Sequence, residues 1–379
     1  MKSAQSQTSV TQATLSAATT GLATTWLSHC GGLLGLLSRE PCFQNTKTEF
    51  GVQRSPNLER SCRQPDLCPC KENCHIVALI HFFFSNIVPD VDLPDDLDTH
   101  NVMQWGQFVD HDLTHTPLFR LSDTNSSGVK CCSEDGSARE DALVLHPQCF
   151  PVDIPSNDPF YKKHGQRCMN FVRSMPGPGQ DCTFGYAEQM NQVTHLMDSS
   201  MVYGSDEEDA LELRQMEGGL MKTYRAAGAA KELLPQEEGE LEGEECAIEN
   251  SLQETEDRKC FKAGDSRSNE HTGLTAYHTV WMREHNRLAR ELAYLNPHWD
   301  DERLYQEAKR ILTAEMQHIT YNEWLPIVLG PEYMAELDIL PLDHGYSSNY
   351  DEKINPTILN SFATAAFRFG HTLIQGMMK

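Results

Sequence analysis

Apolar residues recur at helical spacing over long stretches of the second half of the chain. From Thr272 they fall three and four residues apart until Asn296 and Pro297, a pair that ends helices. A second pattern starts at Asp300 and Asp301, whose carboxylates favour the positive end of a helix. The first apolar stripe comprises Leu274, His278, Trp281, Leu288, Leu292 and Leu295, and the second comprises Leu304, Ala308, Ile311 and Ile319.

A third helical pattern covers residues 355–375. Its apolar positions are Ile358, Phe362, Ala366, Phe369 and Leu373. No stretch alternates apolar and polar residues convincingly, as a half-buried strand would. We therefore predict a mainly α-helical fold whose polar loops are tied by disulfide bonds.

The first part of the chain has a different character. Residues 1–87 lack sustained periodicity: a Ser/Thr tract leads to a cysteine cluster and then to the apolar stretch HIVALIHFFFSNIV at 75–88. We predict a divergent, low-complexity and poorly ordered segment over 1–87, followed by a domain over 88–379. The clustered cysteines could instead hold zinc, although their spacing matches no standard ligand pair. They are Cys62, Cys68, Cys70 and Cys74.

Charge excludes several classes of partner. The 379 residues carry a formal net charge of −24, which argues against nucleic acid and anionic membrane surfaces. Residues 232–259 concentrate this charge in an acidic loop that we expect to be solvated. Since no apolar run reaches the length of a bilayer-spanning helix, no membrane span is predicted.

Thirteen cysteines indicate an oxidising compartment. A glycosylation sequon at Asn125 agrees with secretion, but the amino-terminal residues do not have the form of a signal peptide. The composition is thus typical of an extracellular protein without a clear export signal. The cysteines spread among loops, which we expect to form disulfides, are Cys131, Cys132, Cys149, Cys168, Cys182, Cys246 and Cys260.

The stretch GQFVDHD, residues 106–112, places a histidine between two carboxylates after an apolar, helix-compatible run. A solvated helix end is one interpretation of Asp110, His111 and Asp112. The alternative is acid–base chemistry on a peroxide, which needs a neutral imidazole that takes a proton from H2O2 and returns it to the departing oxygen.

Peroxide cleavage also needs a fixed cation, because negative charge develops as the O–O bond breaks. Arg267, three residues before Glu270, could supply it; a capping arrangement or a surface ion pair is the ordinary interpretation of this spacing. His371 follows Gly370 among Phe367, Phe369 and Ile374. It is either a buried histidine bonded to a carbonyl or an axial haem ligand in an apolar wall.

Residues 194–200 contain oxygen-bearing groups at steps of two. Thr194, the carbonyl of Leu196, Asp198 and Ser200 form the ligand set that a hard cation such as Ca²⁺ prefers, and Asp112 could add a further carboxylate. An Asx or ST turn is the competing interpretation.

Four stretches together resemble the animal haem peroxidase family: VMQWGQFVDHDLTHTP, MNQVTHLMDSSMVYGS, FKAGDSRSNEHTGLTAYHTVWMREHNRLARELAYLNPHWDDERLYQEAKRIL and NSFATAAFRFGHTLIQ. The similarity runs in order from about Pro89 to Lys379. It implies the mainly α animal haem peroxidase fold, with haem b as cofactor.

The resemblance assigns a role to each candidate on the haem. It implies that His111 is the distal acid and base and that Arg267 is its charge-stabilising partner. Gln107 corresponds to the pocket glutamine that orders water or halide near the iron. Asp110 and Glu270 correspond to the carboxylates that form esters with haem methyl groups, and His371 corresponds to the proximal iron ligand.

The resemblance also implies a calcium site and two disulfides. The calcium ligands would be Asp112, Thr194, Leu196 through its carbonyl, Asp198 and Ser200. The disulfides would be Cys149–Cys168 and Cys246–Cys260. His271 stands where some family members have a methionine that makes a third haem bond. That bond is not expected here, which argues against strong specialisation for chloride oxidation.

Two departures from the family pattern shape the expected function. Residues 1 to about 85 do not resemble the usual amino-terminal section, and in the family an asparagine beyond the position of Lys379 bonds the proximal imidazole. The fold is therefore expected to be incomplete at both ends, as in a fragment. We expect a secreted peroxidase that uses H2O2 to oxidise a halide, pseudohalide or phenolic donor, with matrix proteins as candidate partners. The alternative is an inactive, calcium-stabilised matrix or adhesion module.

Overall fold

The computed structural model describes residues 91, 93–120, 128–133, 136, 146–177, 188–226, 228, 230–236 and 260–375. The cysteine cluster, the sequon, Cys182, Cys246 and most of the acidic loop lie outside them. The chain divides into two compact units. One contains Asp95–His115 and the residues from Asn191 onward, and the other is built around Thr116–Met190.

The first unit is helical, which confirms the mainly α prediction. Short 3-10 helices cover Ser266–Asn269 and Ala366–Leu373, and a π-helical turn covers Thr320–Trp324. The α-helices are α1 (Asn101–Leu113), α2 (Ser200–Tyr203), α3 (Glu207–Leu213), α4 (Thr272–Leu295), α5 (Asp301–Ile319), α6 (Leu325–Val328), α7 (Pro331–Glu336) and α8 (Asn360–Thr364).

The two long helices form where periodicity predicts them. Helix α4 ends at Asn296, and α5 begins after Asp300, whose carboxylate accepts the Arg303 N–H at 2.9 Å. The helices pack against each other through their predicted apolar stripes. Two residues are exceptions, Leu295 in α4 and Ile311 in α5. Leu295 is 69% exposed at the last turn of α4, so its predicted burial is wrong. Ile311 lies mid-helix. It is 37% exposed, whereas its neighbour Leu312 is 0% exposed and faces the core. The prediction for Ile311 is wrong.

Helix α1 is anchored by aromatic side chains that pack on α4. The Trp105 and Trp281 rings lie 5.8 Å apart, and the Phe108 and Tyr277 rings lie 5.6 Å apart in an edge contact. Phe108 is fully buried. Burial of one such side chain contributes about 1.5–3 kcal/mol, so this cluster fixes the last turn of α1 against α4.

The predicted continuous helix over 355–375 is wrong. The backbone breaks at Ala365 (φ −135°, ψ −61°), between α8 and the 3-10 helix. Phe369 and Leu373 are 40% and 44% exposed, so the described residues do not bury that end of the predicted stripe. A short amphipathic segment takes most of its helical stability from burial of its apolar face, and this segment lacks such burial.

The second unit contains loops, short strand pairs, disulfides and a 3-10 helix at Tyr161–His164. Strand β1 (Val152–Asp153) pairs with β2 (Cys168–Met169), and β3 (Pro176–Gly177) pairs with β4 (Glu188–Gln189), both antiparallel. No helix in the described part of the chain is long and apolar enough to cross a membrane.

The disulfides correct the pairing that the family resemblance implied. Cys149 is bonded to Cys131 and Cys168 to Cys132, with Cα–Cα distances of 5.5 and 5.8 Å, so the expected Cys149–Cys168 bond is wrong. Consecutive residues of an extended chain face opposite sides, which lets two adjacent cysteines reach two different segments. Cys260 is disulfide-bonded, and its expected partner Cys246 lies outside the described residues.

Candidate active site

The last turn of α1 is buried although it contains three titratable side chains. Asp110, His111 and Asp112 are 8%, 4% and 2% exposed. The interpretation of GQFVDHD as a solvated helix end is therefore wrong. Buried ionisable groups are retained only where other polar groups compensate them, so their contacts define the site.

His111 lies between two carboxylates. Its Nε2 is 3.9 Å from Oε2 of Glu270, and its Nδ1 is 3.6 Å from Oδ1 of Asp265. Burial, reinforced by the positive charge of Arg267, holds the pKa of His111 well below its usual value. The imidazole is therefore neutral near pH 7, the protonation state in which it can accept a proton.

Arg267 lies against the end of α1 and is held by Asp265. Its Nε donates to Oδ1 of Asp265 at 2.8 Å and its Nη2 to Oδ2 at 2.7 Å, a two-point contact. Nη1 donates to the carbonyl of Thr114 at 2.9 Å, and Nη2 to that of His111 at 3.4 Å. The cation thus contacts the main chain of His111, and it pairs with Asp265 rather than with Glu270.

Asp265 is a site residue that sequence reasoning missed. Its side chain also accepts the Arg267 N–H at 3.0 Å, so it caps the 3-10 helix Ser266–Asn269. Burial opposes its ionisation, but the hydrogen bonds and charge of Arg267 outweigh that and hold the pKa of Asp265 well below its usual value. The sequence signal was an aspartate two residues before the arginine, a preferred capping position.

Gln107 contacts both Glu270 and His271, which lie between the 3-10 helix of Arg267 and helix α4. Its Nε2 donates to Oε2 of Glu270 at 3.0 Å, and its Oε1 lies 2.6 Å from Nε2 of His271. The Glu270 side chain is 54% exposed. The predicted pocket glutamine and one of the two candidate ester carboxylates are therefore in direct contact.

Asp110, the other candidate ester carboxylate, contacts Thr114 and Arg368. Its Oδ1 accepts the Thr114 hydroxyl at 2.6 Å, and its Oδ2 lies 3.9 Å from Nη1 of Arg368. Burial raises the pKa of Asp110 even though the Thr114 hydrogen bond opposes this. Arg368 belongs to the 3-10 helix Ala366–Leu373, which packs on α1 and also contains His371.

His371 is exposed, and so are its expected apolar neighbours Phe369 and Ile374. The structure therefore brings the segment of the predicted proximal ligand to α1, but the described residues do not form the expected apolar wall around it. His371 is an accessible imidazole, a side chain that can bind haem iron, and it lies on the segment whose Arg368 approaches Asp110.

The predicted calcium residues lie together in one hydrogen-bonded cluster. Oδ1 of Asp112 accepts both the N–H and the hydroxyl of Ser200 at 2.6 Å, and Asp198 accepts the Thr194 hydroxyl at 2.8 Å. The carbonyl of Leu196 accepts the Asp198 N–H at 2.9 Å. These are the contacts of the competing turn interpretation, and they place the oxygen atoms of all five residues in one region.

The negative charge of Asp112 is unfavourable in this cluster. Burial and the nearby charge of Asp198 together raise the pKa of Asp112 to about 6, although its hydrogen bonds to Ser199 and Ser200 oppose this. Among the described residues, no group of three or more His, Cys, Asp or Glu side chains is arranged to hold a metal ion. The oxygen set relies instead on two carboxylates, hydroxyls and a carbonyl, and calcium at this cluster stays a prediction.

The site thus combines a buried neutral imidazole with an anchored guanidinium on a helical unit. Comparison with known proteins identifies the family. The family model for animal haem peroxidases matches residues 84–379. Since that match covers most of the chain, the chain belongs to the animal haem peroxidase family.

Individual relatives agree. Chorion peroxidase of Aedes aegypti is 41% identical over 293 residues, which are 77% of this chain and 35% of that protein. The human peroxidasin homolog is 43% identical over 296 residues, 75% of this chain and 18% of that protein. The solved structure of Dictyostelium discoideum peroxidase A is 25% identical with a TM-score of 0.54, and the similarity covers 77% of this chain and 50% of that one. The chain thus spans well under half the length of these two curated relatives.

Proposed function

We propose that the chain provides the distal acid–base machinery of a haem peroxidase that uses H2O2 to oxidise a small electron donor. The observation that carries this proposal is the buried, neutral His111 with the Arg267 guanidinium fixed beside it by Asp265. A neutral imidazole and an adjacent cation are the two groups that heterolysis of a peroxide needs from the protein.

Haem b would be held by His371 as the iron ligand, with Asp110 and Glu270 as the carboxylates for ester links. When bound, haem supplies the redox equivalents that break the O–O bond and oxidise the donor. The exposed His371 imidazole and the contact of its segment with α1 support this assignment.

The proton movements follow from the contacts of His111. With Nδ1 facing the Asp265 carboxylate at 3.6 Å, the tautomer with the proton on Nδ1 is favoured, and the Nε2 lone pair is left to accept. Nε2 takes a proton from one peroxide oxygen and returns it to the departing oxygen. Arg267 stabilises the negative charge that develops, and Gln107 orders water or an anion next to Nε2.

Calcium is proposed at the cluster of Asp112, Thr194, Leu196, Asp198 and Ser200. The two carboxylates share the Ser200 N–H, at 2.6 Å from Asp112 and 3.2 Å from Asp198. A divalent cation would relieve their repulsion and tie the end of α1 to α2. Calcium binding would therefore hold His111 in place.

The donor class follows from the family: a halide, a pseudohalide or a phenolic or tyrosyl group. Secretion and contact with matrix proteins are proposed on the disulfides of the second unit and on the peroxidasin relationship. A second candidate is a calcium-stabilised extracellular module without catalysis. The exposed side chains of Phe369 and Ile374 favour it, because the described residues form no apolar wall for haem beside His371. Haem titration of the chain distinguishes the two, because only the peroxidase binds haem stoichiometrically.

The experiment reconstitutes the chain with haem and follows the Soret band and the peroxide-dependent oxidation of a dye. We expect His111→Ala to retain the Soret band and to lose at least about a hundredfold in rate. The control His344→Ala replaces an exposed histidine far along the chain and should have the parent rate. Unchanged activity in His111→Ala would refute the role of His111, and failure to bind haem would favour the non-catalytic module.

A further inference from the structure

His271 caps helix α4 with a ring nitrogen. It has extended backbone angles (φ −157°, ψ 163°), and its Nδ1 accepts the Leu274 N–H at 3.4 Å. A Cβ on Gly273 would lie only 3.1 Å from Cε1 of His271 and 2.5 Å from Oε1 of Gln104. The imidazole thus lies against the first turn of α4, where only glycine leaves it room.

The capping bond decides which ring nitrogen is protonated. Because Nδ1 accepts a main-chain N–H, the single proton of the neutral ring must be on Nε2. Burial lowers the pKa of His271, although the Glu270 charge opposes this, so the neutral form dominates near pH 7. Nε2–H therefore donates to Oε1 of Gln107 across 2.6 Å.

That bond orients the carboxamide of Gln107. Its oxygen receives the His271 N–H and a weaker contact from Nε2 of Gln104 at 3.4 Å, so its NH2 group must point away from His271. The NH2 group donates to Oε2 of Glu270 at 3.0 Å, and this same oxygen lies 3.9 Å from Nε2 of His111. A chain of hydrogen bonds thus runs from the cap of α4 through Gln107 to Glu270, and the Glu270 carboxylate lies 3.9 Å from Nε2 of His111.

We propose that His271 is a positioning residue: it fixes the Gln107 carboxamide and, through Gln107, holds Glu270 beside His111. At this position the side chain therefore organises the pocket through hydrogen bonds. The consequence for peroxide chemistry rests on the proposed function. The positioning itself does not, because it involves only groups of this chain.

Two variants separate capping from positioning. Asparagine is a preferred cap but is too short to reach Gln107, so His271→Asn should keep the melting temperature and lose the carboxamide contact. His271→Ala should lose both the cap and the contact. The direct readout is the side-chain NH2 resonance of Gln107 in the full chain labelled with 15N-glutamine.

We expect the Gln107 NH2 resonances to move, and their exchange with solvent to quicken, in both variants. In the haem-loaded protein His271→Asn should reduce peroxidase turnover about tenfold at unchanged melting temperature. Resonances identical to those of the parent chain in His271→Asn would overturn the proposal. If the resonances move but the loaded parent protein does not turn over peroxide, the positioning stands and the proposed function fails.

Discussion

Replacement of Asp265 by alanine should be among the most damaging single changes near the site. The side chains of Asp265 and Arg267 are 1% and 14% exposed, and the change removes two hydrogen bonds of 2.7 and 2.8 Å from the guanidinium. Loss of one partner of a buried ion pair costs about 3–5 kcal/mol. Because Arg267 keeps its hydrogen bond to the Thr114 carbonyl, we expect the free energy of unfolding to fall by about 3 kcal/mol, the lower end of that range.

Part of that loss would come from the capping role of Asp265, and Asp206 provides the matched control. Asp206 caps α3 by accepting the Asp209 N–H at 2.9 Å. Its replacement by alanine should cost only about 1 kcal/mol. The free energy of unfolding is measured for both variants by urea denaturation, followed by tryptophan fluorescence. Equal losses in the two variants would refute the claim that the buried pair stabilises the site.

The pH dependence of this effect has a definite sign. The folded pKa of Asp265 is depressed, so its contribution is complete above its unfolded pKa of about 3.9 and is lost as the pH falls below that value. The difference in stability between the parent chain and Asp265→Ala should therefore be constant from neutral pH down to about 4 and shrink in stronger acid. A difference that shrinks above pH 5 would contradict this assignment.

Three further predictions concern the surrounding fold. Burial lowers the pKa of His285 to about 4, so the stability that the neutral His285 contributes is complete above about pH 6.5 and declines toward pH 4. The melting temperature of His285→Gln should therefore fall less steeply with acidification than that of the parent chain. Equal dependence of the two melting temperatures on pH would contradict this. Gly264→Ala would place a Cβ within 2.6 Å of three main-chain atoms and should lower the free energy of unfolding in urea by at least about 2 kcal/mol. The control Gly370→Ala, whose Cβ would meet nothing within 4 Å, should lower it by less than about 1 kcal/mol. Cys132→Ser should free the Cys168 thiol for alkylation, detected by mass spectrometry, and an unlabelled Cys168 would contradict the observed pairing.

Part of the site could be predicted from the sequence, because family motifs carry residue types in a fixed order. The pattern singled out His111 and Arg267, and the structure places the guanidinium against the carbonyl of His111. It also grouped Asp112 with Ser200, which are hydrogen-bonded at 2.6 Å. Asp265 escaped because a buried carboxylate and a surface one look the same in a sequence.

What the sequence by itself determined is local. Both ends of α4 and the start of α5 follow from apolar spacing and from capping residues within one turn, since these interactions join residues three or four positions apart. The mainly α class follows from the same short-range terms.

Only the tertiary structure decided the features that depend on distant residues. The break at Ala365 depends on whether a partner buries the apolar face, and the disulfide pairing depends on which segments approach Cys131 and Cys132. The orientation of Gln107 depends on His271, 164 residues away in the chain. Such contacts are set by the packing of whole elements, and no local pattern of apolar and polar residues encodes which distant side chain will be the neighbour.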